Sequence, residues 1–512
     1  MVVSIRSLII KAGLFMKFPV KTIAVDNFKT DGVAICIFEN ELAKGPSASI
    51  NKSLKGHLKR AMKAQSFTGK EGQVLSINTL GLHKAGAIVA LGLGKEKYLT
   101  TEKIRRAAAS GASAMLKAGI SNFAVDLASK SLNKITPAIL AQAVVEGVYL
   151  TSYSFDSLKS EKEKKKIDSV TLLSGKKGDE AKVKNGAKKG MILAGSACFA
   201  RDLINLPGNV VTPSYMAEQA KKIALKHRMR CSVLGPGAIK RLKMGGLAGV
   251  ARGSKEPARF IILEWMKGDK SQKPIVVVGK GLTFDTGGIS LKPSGDMHEM
   301  KSDMSGGAAV LGILQAAAML KLKVNLVGLV PATENMPGGQ ATKPGDVLTA
   351  MSGVTMEILN TDAEGRLILA DGLAYAGRYK PDCVIDIATL TGACMVALGS
   401  HASGLFSNNE KLLNQILQSG EETGERLWPM PVWQEHEDDL KSDVADLKNI
   451  GPRGGGASTA AAFLKKHVKG KWAHIDIAGT AYSNKMSHYI KKGGVGLGVR
   501  LMIDFIEKRA KL

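Results

Sequence analysis

The sequence predicts an α/β protein of two domains, each a mixed or mostly parallel sheet covered by helices, with the larger domain at the C-terminal side. Three observations carry this. The 512 residues exceed what one typical core fills. Apolar runs that suit buried strands alternate with helical segments along the chain. A charged stretch over 159–189 separates two such series.

In the first series, KTIAVDN, GVAICIF, QVLSINTL and AGAIVALGLG read as strands, and TEKIRRAAASGASAMLKAG and PAILAQAVVEGVYL as helices. LGLGKEK lacks full phosphate-loop spacing and reads as a strand end. A helix is expected over 181–202, ended by the Pro and Gly of NLPGNVVTP. The second series has longer members. PIVVVG, VNLVGLVP, VTMEILN, CVIDIATL and WAHIDIAG are apolar on both faces, as in a mostly parallel sheet with helices on each side. Helices are expected over 305–321, 366–378 and 458–466. The resulting organisation is an N-terminal extension (1–15), an N-terminal α/β domain (16–175), a linker helix (176–205) and the larger domain (206–512).

Composition narrows the function classes. Hydrophobic residues make up 45% of the chain and the mean hydropathy is close to zero, as in an ordinary globular enzyme. Cys36, Cys198, Cys231, Cys383 and Cys394 are odd in number and never spaced CxxC, which suggests neither a disulfide framework nor a zinc knuckle and points to a reducing, cytoplasmic setting. Lys11 interrupts the apolar opening, so a start-site extension before Met16 is favoured over a signal peptide. No run reaches about 18 uninterrupted apolar residues, and no membrane span is expected. The net charge of +27 favours non-specific contact with nucleic acid, anionic lipid or acidic partners. The lysine run KSEKEKKK suits a solvated helix face or linker, and the 5% of aromatic residues do not interleave with the lysines as a single-strand platform requires.

In sheets of this kind chemistry gathers at the carboxyl ends of strands. The strand of VVVGKGLTFDTGGISLKPSGDMHEMKSDMSGGAAV ends at Gly279, followed by Lys280, Asp285, Lys292 and Asp303 in a Gly-rich loop. The run VTMEIL leads into NTDAEGRL. If that stretch is extended, Asp362, Glu364 and Arg366 alternate and share one face. Four carboxylates and three cations are then delivered to one end of one sheet. Four crowded carboxylates do not all ionise without compensation, and divalent cations with oxygen ligands supply it. A pair of bridged metals is the economical solution; the alternative is a set of unrelated surface salt bridges.

Other motifs are weaker. The nine histidines include no HExxH pair, and His298 is read as structural or merely nearby. No GxSxG elbow appears, and Ser305 is expected to be a helix N-cap. GGVGLG has no βαβ unit after it, and PRGGGAS opens a helix either as an anion site or for close packing.

The combination of VGKGLTFDTGG, MKSDMSGGAAV, NTDAEGRL and DIATLTGA closely resembles the leucyl aminopeptidase (cytosol aminopeptidase) family of metallopeptidases. The resemblance implies Lys280, Asp285, Asp303, Asp362 and Glu364 as ligands of two divalent metal ions (manganese or zinc, with magnesium or cobalt as alternatives), Asp285 and Glu364 bridging. Lys292 and Arg366 would be catalytic, with bicarbonate at Arg366 as general base. Lys280 could ligate only as the neutral amine, with a lowered pKa. Met300, Thr389, Gly392, Ala478 and Ala481 would line the pocket for the first side chain of peptide substrates. The resemblance also implies a homohexamer, and a DNA-binding role known among some bacterial relatives.

Overall fold

The computed structural model describes residues 16–39, 41, 46–128, 132, 134–162 and 166–510. The expected extension over 1–15 and the lysines at 163–165 lie outside the described residues. The chain forms two compact units: the described part of Arg6–Cys198 with Lys485–Lys491, and Phe199–Asn484 with the described part of Lys492–Leu512. The division falls inside the helix Glu180–Asn205, within the stretch 176–205 expected as a linker helix.

The first unit is built on strands β1 (Val20–Lys21), β2 (Thr30–Ile37), β3 (Val74–Asn78), β4 (Ala85–Gly92), β5 (Asn122–Asp126) and β6 (Ser169–Leu173). Their order is β1-β6-β5-β2-β4-β3, parallel throughout except for β3 against β4. KTIAVDN contributes only Lys21, the second residue of β1, as strand, with Val25–Asn27 forming a 3-10 turn around turn-forming Asp26 and Asn27. Helices Thr101–Lys117 and Pro137–Thr151 start where Thr100 and Thr136 hydroxyls accept the N–H groups of Lys103 and Ile139. Buried Arg105 of the first pairs with Glu102 of its own helix (2.5 Å) and joins the second through Glu146 (2.7 Å).

The second unit continues with β7 (Arg230–Leu234), β8 (Arg259–Met266), β9 (Ile275–Gly279), β10 (Gly281–Asp285), β11 (Asn325–Asn335), β12 (Val347–Thr349) and β13 (Thr355–Glu357). It closes with β14 (Cys383–Ala388), β15 (Ser403–Ser407), β16 (Leu427–Pro429), β17 (Leu447–Lys448) and β18 (Trp472–Asp476). The main sheet runs β16-β15-β18-β14-β9-β11-β8-β7, with β10 beside β11. Its centre, β18-β14-β9-β11, is parallel, while β8, β7 and β15 enter antiparallel. Val276, Val278, Val327, Leu329 and Trp472 are fully buried there, each such side chain contributing roughly 1.5–3 kcal/mol. Helix Ser305–Met319 is apolar nearly all round and correspondingly buried.

Two expectations fail here. VTMEILN is not a main-sheet strand; only Thr355–Glu357 is extended, in a separate sheet β12-β13-β17. Ser305 is not an N-cap: Met304 holds that position, and the Ser305 hydroxyl donates to the Ser302 carbonyl at 2.5 Å.

His467, just beyond helix Gly456–Lys465, is 3% exposed, packs on Phe463 and has Nδ1 2.8 Å from the Ser352 hydroxyl. Burial pushes its pKa down to about 4. Unfolded histidine titrates near about 6.5, so the group leaves stability unchanged above that value. Stability is then lost as pH falls towards the folded value, by about 3 kcal/mol in all. Urea unfolding in neutral and mildly acidic buffer should show this loss in the native chain and a shallower one in His467→Gln; equal slopes would refute it.

Candidate active site

Lys280 occupies the break between β9 and β10, which pair in turn with Leu326–Leu329 and Ala332–Asn335 of β11. Its N–H donates to Ile387 of β14 and its carbonyl accepts from Gly307, so its backbone is fixed between two strands and a helix. Its side chain is 4% exposed, with Nζ 2.8 Å from Asp303 Oδ2, 2.9 Å from Glu364 Oε1 and 3.0 Å from the Thr389 carbonyl. Gly365 makes this approach possible: a Cβ there would sit 2.6 Å from Lys280 Nζ.

NTDAEGRL is not extended. Thr361 and Asp362 form a turn, and the helix Glu364–Ala376 begins at the glutamate. Glu364 and Arg366 therefore leave from a first helical turn. Lys292 bridges Asp285 Oδ2 (2.9 Å) and Asp362 Oδ1, with its side chain about a quarter exposed. The remaining Asp285 oxygen accepts from the Gly287 N–H and the Asn335 amide, both at 2.9 Å. The cluster thus has two lobes, Lys280 with Asp303 and Glu364, and Lys292 with Asp285 and Asp362. Asp285, Asp303 and Glu364 each present an oxygen within 4.8 Å of the others, and all three are buried.

The electrostatics follow from that crowding. Burial, then the neighbouring Asp285 carboxylate, pushes Glu364 up to about 8. Burial likewise raises Asp303 despite Lys280, and raises Asp362 despite Lys292. Burial works against the Lys280 charge, but Asp303, Glu364 and Asp285 outweigh it and raise the pKa. The neutral amine of the sequence reading is therefore not what the protein groups alone favour; incoming cations would have to displace that proton. Lys292 is raised in the same way by Asp285 and Glu364 against burial. Arg366 is lowered by burial to about 10, which leaves it a cation at neutral pH.

Glu364 Oε2 is buried with no hydrogen-bond partner among the described residues, in the midst of the carboxylates. A buried, unpaired carboxylate oxygen is costly, and a divalent cation is the ligand that satisfies it. Arg366 Nη1 donates to the Asn449 carbonyl (2.7 Å), while buried Nε has no partner among the described residues and remains available to an anion.

The structure thus gathers all seven predicted metal and catalytic residues. Of the pocket residues, Thr389 donates to Asp303 Oδ1 at 2.6 Å, Met300 and Ala478 are half-buried, Gly392 is exposed, and Ala481 is 1% exposed. His298 is exposed on the 3-10 segment Met297–Ser302 beside Asp296 and Glu299.

Sequence reasoning missed three supports. Asn335 and Asp476 are the last residues of β11 and β18, the former four residues beyond the run VNLVGLVP and the latter inside WAHIDIAG. Asp476 accepts from Leu390 and Ala478 N–H groups and the Thr391 hydroxyl, and so shapes the loop after β14. Asn449 comes from a loop with no motif; besides contacting Arg366, its side-chain oxygen accepts the Leu359 N–H (2.8 Å).

A buried carboxylate and lysine cluster that could hold metal ions, set where strands end and two helices begin on an α/β sheet, fits the class of metal-dependent hydrolases. Within that class the chain belongs to the cytosol aminopeptidase family: residues 198–503 match its catalytic domain and 34–162 its N-terminal domain. It is 43% identical over 498 residues to a "Probable cytosol aminopeptidase" of Methylobacillus flagellatus, covering 97% of this chain and 100% of that one. A relative of the same description from a Geobacter species is 44% identical, covering 94% and 97%. Among solved structures, a mutant tomato leucine aminopeptidase matches with TM-score 0.88 and 34% identity over 96% of each chain. The bottromycin maturation enzyme BotP in complex with Mn matches with TM-score 0.83 and 33% identity, covering 94% of this chain and 100% of that one. The protein is a hydrolase of the leucine aminopeptidase type.

Proposed function

We propose that the chain removes N-terminal residues, leucine-like ones preferred, from peptides at a centre of two divalent metal ions. The observation that carries this is the buried trio Asp285, Asp303 and Glu364, with an unpaired oxygen on Glu364. Lys280, Asp285, Asp303, Asp362 and Glu364 would hold the ions. Bound there, the ions supply Lewis acidity and a water nucleophile at neutral pH.

The chain's own residues do the rest. Lys292, kept protonated by its carboxylate neighbours, donates to the scissile carbonyl oxygen and stabilises the negative charge that develops there. Arg366, held at one nitrogen by Asn449, offers its remaining donors to a small planar anion such as bicarbonate, which serves as general base. Asp303, oriented by Thr389, accepts from the substrate's free α-amino group and so restricts cleavage to the N-terminus. Met300, Thr389, Gly392, Ala478 and Ala481 form the first side-chain pocket, small and apolar enough for leucine or methionine.

The family name and the unpaired cysteines support a cytoplasmic setting; the homohexamer, and manganese or zinc as the favoured ions with magnesium or cobalt as alternatives, rest on the family resemblance. No helix among the described residues is long and apolar enough to cross a membrane. The +27 charge supports a second reading, DNA binding, which should survive chelation and weaken steeply with salt.

The test is hydrolysis of leucine anilide before and after chelation, then with manganese or zinc restored. Activity should vanish and return, more readily as pH rises, because Glu364 and Lys280 must lose their protons to solvent for the ions to bind. An N-terminally acetylated peptide should be inert. Inactivity with every ion, or efficient cleavage of the acetylated peptide, would sink the reading.

A further inference from the structure

The two-lobed cluster raises the question of what fixes its lobes relative to one another. Lys280 makes direct ion pairs within one lobe, and Lys292 within the other. The second lobe joins groups from two separate segments: Asp285 at the end of β10, and Asp362 in the turn that precedes helix Glu364–Ala376. Neither segment pairs with the other as a strand. Something else must set their spacing.

Asn335, at the last position of β11 and 5% exposed, reaches both. Its side-chain amide donates to Asp285 Oδ1 (2.9 Å) and to the Thr361 carbonyl (3.0 Å). Both partners are pure acceptors, so the amide nitrogen is the atom that faces them. Its backbone carbonyl accepts from the N–H and the hydroxyl of Thr286 (3.0 and 2.8 Å), which anchors the loop after Asp285 to the same strand end. Thr361 completes the tie. Its hydroxyl donates to the Gly287 carbonyl (2.6 Å) and accepts from the Ser290 N–H (2.8 Å), while its own N–H donates to the Ser290 hydroxyl (3.1 Å). Gly288 lies against this clasp at φ +70°, where a Cβ would come within 2.7 Å of Asn335 Oδ1.

We infer that Asn335, acting with Thr361, is a positioning residue that sets the separation of Asp285 and Asp362 and thereby makes the Asp362 lobe competent to hold its own metal ion. The inference rests on the two-ion reading above and deepens it. In the contacts described, the clasp touches Asp285 and the backbone of the Asp362 turn, but neither Lys280 nor Asp303. Asp285 would serve both ions, but Lys280, Asp303 and Glu364 remain for the other, so loss of the clasp should fall on the ion at Asp362. Groups that orient metal ligands commonly change affinity by about 10–100-fold when replaced.

The experiment is titration of the chelated full-length protein with manganese, read by calorimetry and by metal analysis after desalting, for the native chain, Asn335→Leu and Thr361→Val. The native chain should take up two ions. Each variant should take up one with native affinity and bind the second about 10–100-fold more weakly, the retained ion itself reporting an intact fold. Thr361→Val leaves the Asn335 contact with Asp285 in place and so tests the clasp by a second route. Two ions bound with native affinity in both variants, or equal weakening of both ions, would overturn the inference. A native chain that takes up no ion would instead overturn the two-ion reading itself.

Discussion

Replacing Lys280 with methionine is expected to destabilise the chelated protein by about 3–5 kcal/mol, the usual cost of removing one partner from a buried charge cluster. Lys280 is 3% exposed and is the cation within 3 Å of both Asp303 and Glu364, so its loss leaves two buried carboxylates facing each other. They can escape by taking up protons. Glu364 is already pushed up to about 8 with Lys280 present, and without it both groups would titrate higher still. The native state then holds more protons than the unfolded chain, and stability falls as pH rises. The loss in Lys280→Met should thus be modest in acid and largest above Glu364's native value. Urea unfolding at two pH values measures it; a change below about 1 kcal/mol, alike at both, would mean the cluster is solvated and not a buried charge network.

Lys292→Met should leave metal uptake intact and lower kcat by about 10²–10³-fold with little change in KM, the effect of removing one donor to a developing oxyanion. The side chain is partly exposed and pairs with Asp285 and Asp362, so taking away its positive charge removes a competitor of the ions rather than a ligand. Metal affinity should be equal to or tighter than native. Steady-state kinetics on leucine anilide, together with metal analysis, separates the alternatives. A kcat within about tenfold of native would assign the oxyanion to another group, and loss of an ion would make Lys292 structural.

Much of the architecture was legible because its elements are apolar enough to declare themselves. PIVVVG, VNLVGLVP, CVIDIATL and WAHIDIAG each form a strand of the main sheet. VTMEILN looked similar but forms only a short strand in a separate sheet, since alternation cannot say which sheet a strand joins. The rule that polar residues after strands deserve attention found Lys280 and Asp285 and, applied further, would have reached Asn335 and Asp476. It could not reach Asn449, whose contact with Arg366 spans 83 residues and leaves no local pattern.

NTDAEGRL shows the division most clearly. Its composition fixed which groups would have to be compensated: two carboxylates and a guanidinium within five residues, after an apolar run. The geometry assumed for them was wrong, because a helix begins at Glu364 where an extended strand was expected. The residues met at the site anyway, since a helix N-terminus projects its first-turn side chains towards the strand ends packed beside it. The sequence by itself determined the chemistry, through residue types that cannot be buried together without a cation. Only the tertiary structure decided how they are shared: Lys280 with one lobe, Lys292 with the other, and Asn335 between the segments of the second. Such pairings depend on distances between segments far apart in the chain, and those distances are set by packing rather than by local propensity.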